Sequence, residues 1–118
     1  MTDHANLMGA FHFVRDILAH NKSAAAKNKT AIENGEEPTE VPMKPIVGCE
    51  FFVCDNHKDK SRKDNGYQIV LLAKTKKGYH NLAKMSSIAY TEGFYYVPRI
   101  DKKVIHEWLF YQFWAHNK

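Results

Sequence analysis

Two carboxylates and a histidine are the residues of this sequence that most clearly suggest chemistry. Asp3 and His4 lie side by side in TDHAN, directly before a helical pattern. An imidazole beside a carboxylate at the end of a strand is a common metal-binding or catalytic arrangement. Glu50 lies inside the apolar run PIVGCEFFV, where a carboxylate is costly unless it is paired or bound to a cation. On spacing alone, an edge strand with Glu50 facing water is equally compatible with this pattern.

Other potential metal ligands occur in weaker patterns. His12, Asp16 and His20 share one helix face, which would bind a metal if that face lined a pocket. We favour a solvated face, because polar stripes of this kind are ordinary on surface helices. Cys49 and Cys54 could form half of a zinc site, but a second pair is missing. We interpret them as reduced, buried thiols of a cytoplasmic protein.

The basic residues offer a nucleic-acid alternative. The net charge is +4, which is compatible with nucleic-acid binding but weaker than the charge of a dedicated binding tail. Four basic residues lie in one predicted loop, where two acids dilute them: Lys58, Lys60, Arg62 and Lys63 beside Asp59 and Asp64. We therefore favour a solvated loop, with phosphate contact as the alternative.

The length and composition predict one small folded domain without a membrane segment. The chain has 118 residues, of which 44% are hydrophobic, and this excludes general disorder. No run approaches the roughly 18–20 apolar residues that cross a bilayer. The first residues lack the basic region of a secretory signal, so we expect a cytoplasmic location.

Helices and strands alternate along the predicted elements. Apolar residues recur every three to four positions from Leu7 to Leu18, which predicts a half-buried helix with Asn6 as its cap. The polar segment 22–44 is interpreted as a surface insertion whose Ala-rich half extends this helix. The remaining elements predict an α/β fold with two or three buried strands and flanking helices: strands over 44–55 and 68–73, a helix over 79–93, an extended segment over 94–101, and a final helix over 102–118 capped by Asp101.

Three stretches together resemble a known family. TDHANLMGAFHFV, KPIVGCEFFV and IVLLAKTKKGYHNLAKMSSIAYTEGFYYVPRID are similar, in this order, to the N-terminal PHP (polymerase and histidinol phosphatase) domain of bacterial DNA polymerase III alpha subunits. The resemblance runs from Thr2 to Asp101. It implies that residues 1–101 are an incomplete PHP-type (β/α)7 barrel, an interior piece of a longer polymerase that acts in DNA replication. The rest of that polymerase chain and DNA are the implied partners, and no small-molecule substrate is indicated.

The resemblance also implies a metal site. PHP domains resemble barrels that hold a trinuclear cluster of Zn, Mn or Fe at the strand ends, where it activates water for attack on phosphoesters. Matched by motif, His4 and Glu50 would be metal ligands. Asp3 would be a ligand or would orient the imidazole. His57 and His80 match no ligand motif, and we predict them to lie on the surface.

The same comparison predicts that this site is weak. Gln68 occupies a position where family members often carry a histidine, and an amide is a poor ligand for transition metals. Two or three ligands cannot hold three ions, because each ion needs about four to six donors. We therefore expect no polymerase activity and little or no phosphoesterase activity from this chain alone.

The last segment departs from the family pattern, and two other functions stay open. After PRIDKKVI the chain reads HEWLFYQFWAHNK, so we expect residues 102–118 to form a divergent helix or tail. We hypothesise a frameshift there, which would leave its aromatic residues as an adhesive surface. The first alternative function is an autonomous metal-dependent phosphoesterase with further ligands from His12, His20 or His57. The second is a basic nucleic-acid-binding module that uses the loop at 58–63.

Overall fold

The computed structural model describes residues 1–111, with side chains described as far as Leu109. Two compact units are formed, one by Met1–Met8 together with the chain from Ile46 onward, and the other by Gly9–Pro45. No helix within residues 1–111 is both long and apolar enough to cross a membrane. The elements follow in this order: β1 Thr2–His4, α1 Ala10–Glu33, β2 Gly48–Cys54, β3 Tyr67–Leu72, α2 Lys76–Thr91, β4 Arg99–Asp101, α3 Lys102–Ile105 and a π-helical segment His106–Tyr111.

Strand β2 is the centre of a four-stranded mixed sheet. β1 pairs in parallel with its first half, and β4 pairs in parallel with its second half, on the same side. β3 pairs antiparallel along the other side. The predicted α/β class is confirmed, but the predicted two or three strands are too few. The additional strand is β1, whose three residues are too short to give a recognisable sequence pattern.

The core of this unit lies between the sheet and α2. Cys49 and Phe51 of β2 are fully buried there against α2 and the β4–α3 segment. Helix α2 begins at a Thr75 cap, whose hydroxyl accepts a hydrogen bond from the Gly78 N–H at 3.1 Å. The other buried core residues come from α2, which lies within or beside the predicted helix over 79–93, and from β4 and α3: Leu82, Met85, Ala89, Ile100 and Val104.

Strand β3 differs from its prediction as a buried strand. Tyr67, Val70 and Leu72 are 86%, 52% and 61% exposed. A continuous apolar run is typical of a central strand, yet β3 forms the end of the sheet within residues 1–111. The prediction of burial is therefore wrong for this strand, because apolar composition does not reveal whether a neighbouring strand is available.

The second unit consists of α1 and an extended return segment held by two asparagine side chains. The amide of Asn21 donates to the Met43 carbonyl at 2.6 Å and accepts from the Met43 N–H at 2.7 Å. Asn28 pairs with Glu40 in the same way, at 2.8 and 3.0 Å. Asn21 and Asn28 are seven helical residues apart, a rise of about 10.5 Å, and Glu40 and Met43 are three extended residues apart, about 10 Å. The two spacings therefore match. Ala24, which is 3% exposed, lets the segment approach the helix closely.

The start of α1 also differs from its prediction. The residue at the N-cap position is Gly9, and no side chain caps the helix there. The side-chain Oδ1 of Asn6 instead accepts from the Met8 N–H at 3.0 Å, so Asn6 forms a turn before the helix. Phe11 and Leu18 of the predicted half-buried stripe are 70% and 57% exposed. The predicted extension of the helix into the Ala-rich segment is confirmed, since α1 reaches Glu33.

The final helix begins at the predicted cap. The Asp101 carboxylate accepts from the Val104 N–H at 3.1 Å, which satisfies an otherwise unpaired donor of the first turn. Trp108 and Leu109 are partly buried and pack against the core, which differs from the adhesive surface we expected of the tail. The predictions for residues 112–118 lie outside the described residues.

Candidate metal centre

The parallel register of β1 and β2 brings His4 and Glu50 together. The two residues are direct partners across the strand pair, and His4 Nδ1 lies 3.4 Å from Glu50 Oε2. The His4 side chain is 73% exposed, whereas that of Glu50 is 21% exposed. Glu50 is therefore paired with the His4 imidazole, and that imidazole is open to solvent. An accessible nitrogen and oxygen at this separation have the chemistry of two neighbouring ligands of one cation.

A tight turn after β1 fixes the position of His4. Ala5 adopts a positive φ of 57°, which is unfavourable for a residue with a Cβ atom. Three hydrogen bonds hold this turn: the Ala5 N–H donates to the Glu50 carbonyl at 2.6 Å, the Ser86 hydroxyl donates to the Ala5 carbonyl at 2.7 Å, and the Asn6 amide donates to the His4 carbonyl at 2.9 Å. Ser86 reaches this turn from the buried face of α2, a role that no sequence pattern revealed.

Asp3 is placed on a different face from its neighbour. It lies opposite Cys49 in the register, and alternation along the strand turns it away from His4. Burial raises the pKa of Cys49 to about 12, and the negative charges of Asp3 and Glu50 act in the same direction. Cys49 is therefore a neutral thiol and a poor metal ligand, because metals bind the thiolate.

Gln68 lies on the same sheet face as the pair. Gln68 is opposite Phe52, and Phe52 lies two residues after Glu50 on β2. Because residues two apart on a strand point to the same face, Gln68 and Glu50 share one face of the sheet. The position where the family often carries a histidine is thus close to the candidate ligands. Within residues 1–111, no cluster of three or more histidine, cysteine or carboxylate groups is arranged to hold a metal. His4 and Glu50 remain a pair.

His57 is buried, which contradicts its prediction as a surface residue. It is 6% exposed, and its Nδ1 lies 2.7 Å from Asp101 Oδ2. Its Nε2 lies 3.2 Å from Glu92 Oε2. The loop after β2 folds back so that the ends of α2 and β4 converge on this ring, a tertiary arrangement without a local signal. His80 is exposed, as predicted.

Asp101, the carboxylate beside His57, has a shifted pKa. Burial acts to raise the pKa of Asp101, but the hydrogen bonds from the His57 ring and from the Val104 and His57 N–H groups outweigh it. The pKa of Asp101 is therefore lowered. Both ring nitrogens of His57 are engaged by carboxylates, and within residues 1–111 no metal-binding group joins His57 to His4.

The weaker candidates behave largely as ordinary structural groups. Cys49 and Cys54 are free and buried, which confirms their interpretation as reduced thiols. His12 and His20 are exposed, and Asp16 pairs with Arg15 at 3.0 Å.

The basic loop shows local pairing rather than an open positive surface. Arg62 lies 3.4 Å from Asp55, and the Ser61 hydroxyl and N–H donate to Asp59. These hydrogen bonds from Ser61 lower the pKa of Asp59, so the acid stays charged among the lysines. Lys63 lies 4.8 Å from the centre of the Tyr96 ring. The loop thus carries charges of both signs, some of them paired with each other.

Comparison with known proteins decides the family. A model of the PHP domain matches residues 1–113. This chain belongs to the PHP domain family. Within the family, this PHP chain is homologous to the DNA polymerase III subunit alpha, which confirms the resemblance predicted from sequence. It is 40% identical over 111 residues to that subunit of Chlamydia trachomatis serovar D, 37% over 106 residues to that of Borreliella burgdorferi and 34% over 114 residues to that of Deinococcus radiodurans.

The matches cover most of this PHP chain and little of its relatives. They include 91%, 86% and 91% of the chain, respectively, and 7% of each relative. The chain thus spans 7% of the length of these curated relatives.

Proposed function

We propose that this PHP chain acts in DNA replication as one segment of a DNA polymerase III alpha subunit. The observation that carries the proposal is its 34–40% identity to alpha subunits of three bacteria, over most of its length. In this proposal the parent chain supplies the remaining strands of a (β/α)7 barrel, the polymerase modules and the contacts with DNA. A cytoplasmic location follows, and the two free, buried cysteines agree with a reducing compartment.

We further propose that His4 and Glu50 form one part of a divalent-cation site in that parent chain. The exposed imidazole and the half-buried carboxylate are suitable donors for Zn, Mn or Fe. Strand alternation directs Asp3 to the opposite face of β1 from His4, so we do not include it in this donor pair. A bound ion would supply Lewis-acid activation of water. Among residues 1–111, His4 and Glu50 supply two donors, whereas one ion needs about four to six, so this part of the chain does not complete the site.

The incomplete donor set and Gln68 lead us to propose that the chain alone has no polymerase activity and little or no phosphoesterase activity. The test is a phosphate-release and nuclease assay of the purified chain with Mn²⁺, beside the variants His4→Ala and His80→Ala. We expect all three proteins to remain at background. Clear turnover that is lost in His4→Ala and retained in His80→Ala would contradict the proposal and favour an autonomous phosphoesterase.

The homology can be tested separately from the chemistry. An alpha subunit from a relative, with its matching segment replaced by this chain, should retain DNA synthesis in a primer-extension assay. The same chimera with Phe51→Asp, which places a charge in the fully buried core, serves as the negative control. Loss of synthesis in the unmodified chimera, with normal folding, would count against a role in replication.

A further inference from the structure

We propose that His57 is a pH-sensitive switch, whose ring binds the Glu92 side chain when both ring nitrogens carry protons and releases it when one proton is lost. The ring lies between two carboxylates. Its Nδ1 is 2.7 Å from Asp101 Oδ2, and its Nε2 is 3.2 Å from Glu92 Oε2. A neutral imidazole donates from one nitrogen, whereas the charged ring donates from both. Both hydrogen bonds therefore exist together only in the charged ring.

The Asp101 side of the ring decides which nitrogen keeps its proton. The Asp101 side chain is 5% exposed, and it also accepts from the N–H groups of His57 at 3.3 Å and Val104 at 3.1 Å. Burial acts to raise the pKa of Asp101, but the hydrogen bonds outweigh it, so the carboxylate stays charged. A charged carboxylate only accepts hydrogen bonds. Nδ1 therefore carries a proton in both states of the ring, and Nε2 is the nitrogen that gains or loses one.

The Glu92 side of the ring can respond to this change. The Glu92 side chain is 50% exposed, so its carboxylate can turn into water. When Nε2 is protonated, it donates to Glu92 Oε2. When the proton is lost, the Nε2 lone pair faces a carboxylate lone pair, and the two groups repel each other. The bond is therefore present at lower pH and lost as pH rises, in the range of about pH 5–8 where histidine side chains ordinarily change charge.

Arg99 keeps the backbone in place on both sides of the ring. Its guanidinium donates to the His57 carbonyl at 3.2 Å and to the Gly93 carbonyl at 2.9 Å. Arginine stays charged throughout the pH range in question. The loop after β2 and the end of α2 thus remain joined in both states. The switch therefore moves the Glu92 side chain and leaves the fold unchanged.

The movement changes one wall of a cavity. His57 and Glu92 both line a cavity of about 790 Å³ between the end of α2 and the segment after β4. At lower pH this wall presents a closed ion pair, and at higher pH it presents a free Nε2 acceptor and a free carboxylate. Within residues 1–109, none of the other charged side chains on the cavity wall is bonded to the ring, so they do not replace the Glu92 contact: Lys58, Lys84, Lys103 and Glu107.

Nuclear magnetic resonance of the ring nitrogens tests the switch in the full chain. Spectra are recorded from about pH 5 to about pH 9. EDTA is present, so that no divalent ion can take the place of the proton. We expect His57 Nε2 to lose its proton over this range while Nδ1 keeps its own. The side-chain carboxyl signal of Glu92 should shift with the same midpoint, while the amide signals of the core strands stay constant.

Two isosteric variants separate a bonded carboxylate from a merely nearby one. Glu92→Gln removes the charge from the half-exposed partner, so the His57 midpoint should move to lower pH by about 0.2–0.7 unit. Glu107→Gln, on the same cavity wall but not bonded to the ring, should move it less. An Nε2 that keeps one state from pH 5 to 9, or equal midpoints in the wild type and Glu92→Gln, would overturn the proposal.

Discussion

Arg99 offers the clearest prediction about stability, because it is fully buried and bonds to main-chain carbonyls. Its guanidinium donates to Gly93 at 2.9 Å, to His57 at 3.2 Å, and to Asp64 and Asp59 at 3.0 Å each. These bonds join the start of β4 to the long β2–β3 loop and to the end of α2. The Arg99 side chain thus connects these three segments at one end of the sheet.

The cost of removing these bonds follows from which carbonyls water can reach. In Arg99→Met, the partly buried carbonyls of Asp59 and Asp64 can be hydrated, but the bonds to Gly93 and His57 are buried. Each buried acceptor without a partner costs about 1–3 kcal/mol, so we expect a loss of about 4 kcal/mol in the free energy of unfolding. With a urea slope of about 2 kcal/mol per molar, the unfolding midpoint falls by about 2 M.

Urea denaturation monitored by circular dichroism measures this shift. Arg62→Met is the matched control, because Arg62 lies in the same loop but is 67% exposed. We expect it to change the free energy of unfolding by less than about 0.5 kcal/mol. Arg99→Lys, which keeps the charge with fewer donors, should fall between the two. If Arg99→Met unfolds at the same urea concentration as Arg62→Met, the assignment of Arg99 as a main-chain anchor is wrong.

Three further predictions concern other parts of the structure. Because the pKa of Asp101 is lowered in the folded chain, its ionised form stabilises the fold above the ordinary carboxyl pKa, and this contribution is lost as pH falls through the lowered value. The stability difference between the wild type and Asp101→Asn, measured by thermal unfolding, should therefore be large at neutral pH and vanish in acid; a difference independent of pH would refute this. Replacing Asn21 and Asn28 by Ala should release residues 36–45, seen as faster cleavage there in limited proteolysis, whereas unchanged cleavage would show that the amide pairs do not hold the segment. Cys49, whose pKa is raised to about 12, should resist alkylation at mildly alkaline pH until urea unfolds the chain, and rapid labelling of the native protein would contradict its burial.

Local patterns predicted most of the elements correctly. The helical stripe of α2 and the cap at Asp101 depend on residues a few positions apart, so they can be read from the sequence. Strands β2 and β3 were also located, within the usual uncertainty of their ends. The exposure of β3 could not be predicted, because it depends on which strand lies beside it in space.

In the candidate site, too, local motifs were predicted from the sequence and tertiary contacts were not. His4 and Glu50 were selected by their motif, and the parallel register explains why residues 46 positions apart meet. The supporting hydrogen bond from Ser86 was not predictable, since it joins residues 81 positions apart. The burial of His57 was missed for the same reason, because its partners come from distant helix and strand ends.

Paramagnetic broadening by Mn²⁺ in a nuclear magnetic resonance spectrum tests the central claim most directly. The account predicts that, at low ion concentration, signals of His4 and Glu50 broaden before those of other residues. This selective effect should disappear in His4→Ala and Glu50→Gln but persist in His80→Ala, which removes an exposed histidine elsewhere. Broadening centred on another group, or broadening at the same positions in Glu50→Gln, would show that the pair is not part of a cation site.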